Sequence, residues 1–348
     1  MPSSPGQLAN MRRPSTRSLS VSTSMRFHGL YNGMAASDND DSMHETLTIT
    51  TDNSSSASHD SQATLHTTAT ASSPRPPMFV QELHPFAPET IVLLHVLFSC
   101  SLEWKQVAPK LTEYHLLIPD LPCHSQSKNT ARRDDFSPEL CVEHVAELIR
   151  ERAHDGRAHI VGLSTGGVVA HLLTARYPDL VRSVFISGAW PSGGIRAIGT
   201  RSPRIIYSAL WALLHSPGYL FFKASGLGGE YQNDELLAEV KRNGSSRLIK
   251  GMDLPSFTVD KLQGVAQAGK RICLVAGGKG HDNQGEMAEA ARWLREYGIE
   301  ECGGEVAAFV VRDAIHAWNL QSPVVFARGI QCWIEERRMP AEFELVPL

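Results

Sequence analysis

From about residue 78 onward, apolar positions fall into blocks of two alternating periods. Thr90–Phe98 (TIVLLHVLF) is a near-continuous apolar run. Its length and β-branched content predict a buried strand. Tyr114–Asp120 predicts a second strand, ended by Pro119-Asp120. Ser137-Pro138-Glu139 opens a helix to about Arg152: Ser suits the N-cap, Pro the first turn, and Leu140, Val145, Leu148 and Ile149 follow the helical period. Ala158–Leu163 reads as a strand, Thr165–Tyr177 as a helix stopped by Pro178, and Val181–Ser187 as a strand. Arg271–Ala276, a helix over 284–297, Val306–Val311 and a helix from Pro323 to about Glu335 complete the series. Strands alternating with helices imply right-handed crossovers, hence an α/β fold with a mostly parallel central sheet and helices on both faces.

Two stretches break this rhythm. Residues 192–265 are Gly-rich, then strongly apolar over Ile205–Phe222, then amphipathic from Asp234 to about Arg242. They read as a helical cap inserted over the carboxyl edge of the sheet. Ser216-Pro217-Gly218 interrupts the apolar run, which makes it a poor membrane span, so no stable span is expected. Before Met78 periodicity disappears. About a third of residues 1–77 are Ser or Thr, and large apolar residues are sparse. Such a segment cannot bury enough surface to offset chain entropy, so a disordered tail over 1–77 is expected ahead of one folded domain over 78–348.

Composition narrows the class. With 42% apolar and 20% charged residues in 348, the chain is ordinary globular protein. A net charge of −4 argues against nucleic acid or an anionic membrane as the main partner. Six cysteines are too few for a disulfide scaffold, and none form a CxxC pair. Cys141 and His144 share a helix face without further ligands, so no metal is expected. A cytoplasmic protein follows. The head of the tail offers a second compartment: Arg12, Arg13, Arg17 and Arg26 lie among serines, with no acidic residue before Asp38, a composition that suits mitochondrial import.

The sharpest chemical signal is Gly162-Leu163-Ser164-Thr165-Gly166, a G-x-S-x-G between a predicted strand and a predicted helix. A serine on such a turn is lifted above the sheet edge, where the helix N-terminus favours an oxyanion. A nucleophilic serine needs a base and an orienting acid, which follow in the order Ser, acid, His after later strands. His316 lies five residues beyond Val306–Val311, where the base belongs; His95, His144, His154, His171 and His215 read as packing or surface residues. Asp282 follows Arg271–Ala276 in the expected loop, and the alternative place after Val181–Ser187 holds no carboxylate. Asp313 is a rival by nearness to His316, although it more naturally caps its own turn or faces solvent. The Thr165 and Leu97 N–H groups are the candidate oxyanion donors.

With these residues in place, the chain resembles the α/β-hydrolase superfamily, in particular its fungal-type members with one domain plus a cap. The resemblance runs from about residue 79 to the end. It rests on Thr90–His95 followed by Ser99–Trp104, on Leu117–Pro122, on the Ser164 turn, and on Ala314–Gln321. Three departures stand out. Val96 occupies a position usually held by Gly, Cys123-His124-Ser125 replaces Gly-His-Gly/Ser, and the loop before Asp282 is one residue longer. The resemblance implies a serine hydrolase that uses no cofactor and acts on a small lipophilic ester, lactone or thioester. It also admits a non-hydrolytic or C–C bond-cleaving enzyme of secondary metabolism and a non-catalytic ligand binder. Neither residues nor resemblance fixes the oligomeric state.

Overall fold

The computed structural model describes residues 76–191, 203–227, 233–253, 256–279 and 282–348. The expected tail falls almost wholly outside these, as do the Gly-rich opening of the cap and residues 280–281 of the acid loop. Eight strands form one sheet: β1 (Val80–Leu83), β2 (Thr90–Leu94), β3 (His115–Pro119), β4 (Ala158–Leu163), β5 (Val181–Ser187), β6 (Arg271–Gly277), β7 (Glu305–Val311) and β8 (Phe343–Leu345). Their order is β1-β3-β2-β4-β5-β6-β7-β8. The inner pairs are parallel, and only β1 and β8 join antiparallel at the two edges.

Helices cover both faces. They are α1 (Pro138–Arg152), α2 (Thr165–Arg176), α3 (Pro203–Leu214), α4 (Gly218–Ala224), α5 (Asp234–Asn243), α6 (Ser246–Met252), α7 (Lys261–Gln267), α8 (Gln284–Glu296), α9 (Trp318–Gln321) and α10 (Pro323–Ile334). Ser137 caps α1 as expected, its side chain accepting from the Leu140 N–H at 3.1 Å. Strand alternation sorts the core into two layers. On β2, Val92 and Leu94 join the layer with α1 and α2, while Ile91 and Leu93 join the layer with Trp104 and Phe326 of α10. Both layers exclude water, which makes the inner strands near-continuously apolar.

Three details differ from the sequence-based expectation. The strand beginning at Thr90 ends at Leu94 rather than Phe98. Beyond it the chain turns, with the Ser99 N–H donating to the Val96 carbonyl at 3.1 Å and Phe98 at φ 69°. Apolar residues in this turn face a cavity, so hydropathy alone could not distinguish them from strand. The two edge strands gave no signal, being short and pairing on one side only. Finally, the last helix of the stretch read as cap, α7, packs Leu262, Val265 and Ala266 into the main core. The apolar run Ile205–Phe222 divides into α3 and α4 at Ser216-Pro217. Among the described residues no helix is long and apolar enough to cross a membrane.

Candidate active site

Ser164 stands between the end of β4 and the first residue of α2. Its backbone is at φ 53°, ψ −114°, a conformation that only a forced turn imposes on a residue with a side chain. The turn is tight enough that a Cβ at Gly162 would collide with the Gly166 carbonyl. The Ser164 N–H donates to the Ser187 carbonyl at 2.9 Å, tying the turn to the end of β5. Thr165 opens α2, so its N–H is among the four at the helix start without an intrahelical acceptor.

His316 arrives on the loop after β7. The Ile315 N–H donates to Gln321 Oε1 at 2.9 Å, and the Gln321 amide donates to the Asp313 carbonyl at 3.0 Å. The Trp318 indole N–H donates to Ser187 Oγ at 2.8 Å, pinning the loop to the same strand end that holds Ser164. The His316 ring meets Asp282: the Nδ1–H donates to Oδ1 at 2.5 Å, and Oδ2 accepts the Gly277 N–H at 2.8 Å. Asp282 is buried at 3% side-chain exposure, whereas His316 is open at 35%. A carboxylate fixed from both sides leaves the imidazole one orientation and one tautomer.

Gly188 makes this packing possible. At φ +64° it lies directly beneath the His316 ring, and a Cβ there would stand 2.6 Å from Cε1 and 2.8 Å from Nδ1. Asp313, the rival acid, points away. It pairs with Lys279 Nζ at 2.6 Å with 82% of its side chain exposed, and that ammonium holds its carboxyl below the usual range.

Leu97 lies in the turn after β2, and among the described residues no hydrogen bond occupies its N–H. The groups just before it are engaged. The His95 Nδ1–H donates to the Val96 carbonyl at 2.8 Å, and its Nε2 accepts the Leu121 N–H at 2.9 Å. Burial pushes His95 down to about 4, so the neutral ring these partners require is the stable one. The Val96 N–H donates to Glu103 Oε2 at 3.1 Å, and Glu103 Oε1 accepts from the Asn319 amide at 3.0 Å. The sequence-based reading of His95 as a packing or surface residue assigns it no role in the site, and Gly188, Glu103 and Asn319 receive none either. Gly188 carries a signal as a glycine directly after a strand that ends beside the serine turn, while Glu103 and Asn319 lie within the Ser99–Trp104 and Ala314–Gln321 segments of the resemblance.

An apolar cavity of 220 Å³ adjoins this turn. Val96, Leu97, Phe222, Leu237, Ala317 and Leu320 are among its walls, so α4 and α5 contribute together with the loops at the sheet edge.

A serine on a forced strand-to-helix turn and a carboxylate-held imidazole thus stand at the same edge of an α/β sheet. The profile described as "alpha/beta hydrolase fold" matches residues 89–204. An AB hydrolase superfamily protein of Gibberella zeae (strain ATCC MYA-4620 / CBS 123657 / FGSC 9075 / NRRL 31084 / PH-1) is 29% identical over 74% of this chain and 84% of its own length. An esterase of Mycobacterium tuberculosis (strain ATCC 25618 / H37Rv) is 36% identical over 29% of this chain and 33% of its own. Among solved structures, a thermophilic esterase from Thermogutta terrifontis superposes with a TM-score of 0.54 at 15% identity, covering 74% of this chain and 93% of that one; this likeness concerns the fold alone. These matches support an α/β-hydrolase family member.

Proposed function

We propose that this protein is a serine hydrolase that cleaves a small lipophilic ester, lactone or thioester through an acyl-enzyme. Ser164 Oγ attacks the acyl carbon while His316 Nε2 takes its proton. Asp282 holds the Nδ1–H and stabilises the imidazolium that forms. The Thr165 and Leu97 N–H groups hold the oxyanion of the tetrahedral intermediate. His316 then returns the proton to the departing alcohol or thiol. Water attacks the acyl-enzyme with His316 as base, which regenerates Ser164 and releases the acid. Substrate, water and side chains supply every proton and electron pair.

The observation that carries this reading is the His316–Asp282 pair, seated over Gly188 at the strand end to which the Ser164 turn is tied. The apolar cavity beside Leu97 supports the lipophilic part. Its 220 Å³ corresponds to about seven groups of water size at ~30 Å³ each, room for a medium-length chain. A p-nitrophenyl ester series from acetate to dodecanoate tests the reading. Turnover should peak at intermediate length, and Ser164→Ala should abolish it while the circular dichroism spectrum is retained. Equal turnover at all lengths would remove the cavity's role, and an active Ser164→Ala would remove the mechanism.

A further inference from the structure

The turn that carries Leu97 is held by a residue of the cap. Asn243 is the last residue of α5, it is 1% exposed, and its amide reaches into the core. Its Nδ2 donates toward the Phe98 carbonyl at 2.9 Å, the Ser99 carbonyl at 3.0 Å and Ser125 Oγ at 2.8 Å. Its Oδ1 accepts the Ser125 N–H at 2.7 Å. One side chain, more than a hundred residues away in sequence, thus clamps two loop tips of the catalytic core.

Both tips need holding. Phe98 sits at φ 69° and Ser125 at φ 39°, left-handed conformations that residues with side chains occupy only when their surroundings impose them. In a turn of this shape the residue at the Phe98 position would ordinarily be glycine. The opposite side of the turn is fixed from within the core, by Glu103 on the Val96 N–H and His95 on the Val96 carbonyl. The Leu97 peptide lies between these anchors, so its N–H keeps its direction only while both sides hold. A donor misaimed by a few tenths of an ångström gives up much of its stabilisation of a developing charge.

We propose that Asn243 is a positioning residue for the oxyanion loop, so that the catalytic shape of the Leu97 turn exists only while the cap is docked. This rests on the serine-hydrolase reading above, with Leu97 as an oxyanion donor. The cap then serves two ends at once. It walls the apolar cavity through Phe222 and Leu237, and it completes the machinery through Asn243. A substrate whose chain fills that cavity would favour the docked cap and thereby the aimed N–H, which couples chain binding to kcat.

The test compares wild type with Asn243→Ala and with Asn243→Asp. The second is isosteric and keeps the acceptor for the Ser125 N–H but loses both donors to the Phe98 and Ser99 carbonyls. Three quantities are read on the full chain: kcat and KM on p-nitrophenyl hexanoate, the Kd of hexylboronic acid, and the melting temperature. Hexylboronic acid forms a tetrahedral serine adduct and so reports the oxyanion site. Both variants should lose on the order of 10- to 100-fold in kcat, short of the ~10²–10³ that removing a donor outright costs. KM should stay within about threefold, and boronate affinity should weaken by the same factor as kcat, as expected for an interaction made only in the transition state. A merely structural role would lower the melting temperature and leave kcat and boronate affinity unchanged, and that result would overturn the proposal. Failure of both variants to fold would overturn it too, because the loss would then belong to stability. Wild-type labelling by a fluorophosphonate at Ser164 keeps the two levels apart. If wild type labels and the variants retain kcat, the Asn243 role fails and the hydrolase reading stands. If wild type does not label, the hydrolase reading itself fails.

Discussion

The two halves of the carboxyl edge are built by different means. On the β4–β7 half, backbone groups hold the serine and the acid directly, while Gln321 and Trp318 secure the loop that brings His316. Ser164 is tied to the Ser187 carbonyl, Asp282 is held by the Gly277 N–H, and His316 rests on a glycine with no room for a Cβ. On the β2–β3 half, side chains do the positioning: His95 and Glu103, near in sequence, fix Val96, and Asn243, from a distant helix, fixes Phe98 and Ser99. The second half is also where Val96 and Phe98 stand at positions that suit glycine. A turn without glycine must be forced into shape, and buried polar side chains supply the force. Backbone positioning is local and stiff, whereas side-chain positioning depends on the docking of α5 and on buried ionisable groups.

The largest effect should fall on the backbone-built half. Asp282→Asn should lower kcat by about 10⁴, because an amide supplies no charge and can hold the wrong imidazole tautomer. Asp313→Asn should cost less than about threefold, since that carboxylate faces solvent on Lys279. Steady-state kinetics on the two variants decides between them, and the reverse pattern would exchange their roles.

Next comes Gly188→Ala. Its methyl would stand within 3 Å of two ring atoms, so His316 must tilt away from Asp282. A loss of about 10² in kcat is expected, on the scale that a displacement of about 1 Å costs. A crystal structure with an unmoved imidazole, together with wild-type kcat, would break the contrast between the halves.

The side-chain half should respond more gently. Glu103→Gln keeps the shape but sets an amide NH₂ against either the Val96 N–H or the Asn319 amide, one unmatched donor pair in a buried site. About a tenfold fall in kcat with unchanged KM is expected. A fall equal to that of Asp282→Asn would show that Glu103 acts in the chemistry itself.

The last effect concerns stability rather than catalysis. Burial lowers the pKa values of His95 and His171 to about 4 and that of His124 to about 3, against 6.5 for the free side chain. Between pH 6.5 and those values the unfolded chain binds protons that the folded chain refuses. Stability is therefore full above pH 6.5 and declines as pH falls toward 4, by about 1.4 kcal/mol per histidine per unit. Glu103 runs the other way, because burial raises its carboxyl, but three histidines outweigh one acid. The melting temperature should drop by more than about 5 °C from pH 7 to pH 5. A flat profile over that range would mean that these rings are not held neutral and that the His95 anchor is weaker than described.

The same division explains what the sequence made legible. Ser164, Asp282 and His316 are recognised because each sits at a fixed offset from a strand end, and strand ends follow from apolar periodicity. The parallel sheet was legible for the same reason. Glu103 and Asn243 carry no such marker. Glu103 precedes Trp104 in a short 3₁₀ turn, and Asn243 closes a helix whose pattern resembles any solvent-facing amphipathic helix. Their partners lie on loops whose approach only the tertiary fold determines. The end of β2 at Leu94 was hidden likewise, since Val96, Leu97 and Phe98 are apolar in order to line a cavity, not to continue a strand.

The central claim is that Ser164 forms a covalent acyl-enzyme, and intact-protein mass spectrometry tests it most directly. Wild type quenched in acid during turnover of p-nitrophenyl hexanoate should show one added hexanoyl mass, localised by peptide fragmentation to Gly162–Gly166. His316→Ala and Ser164→Ala should show none. A hexanoyl mass on another residue, or rapid turnover with no adduct in wild type or in a variant with slowed deacylation, would contradict the account.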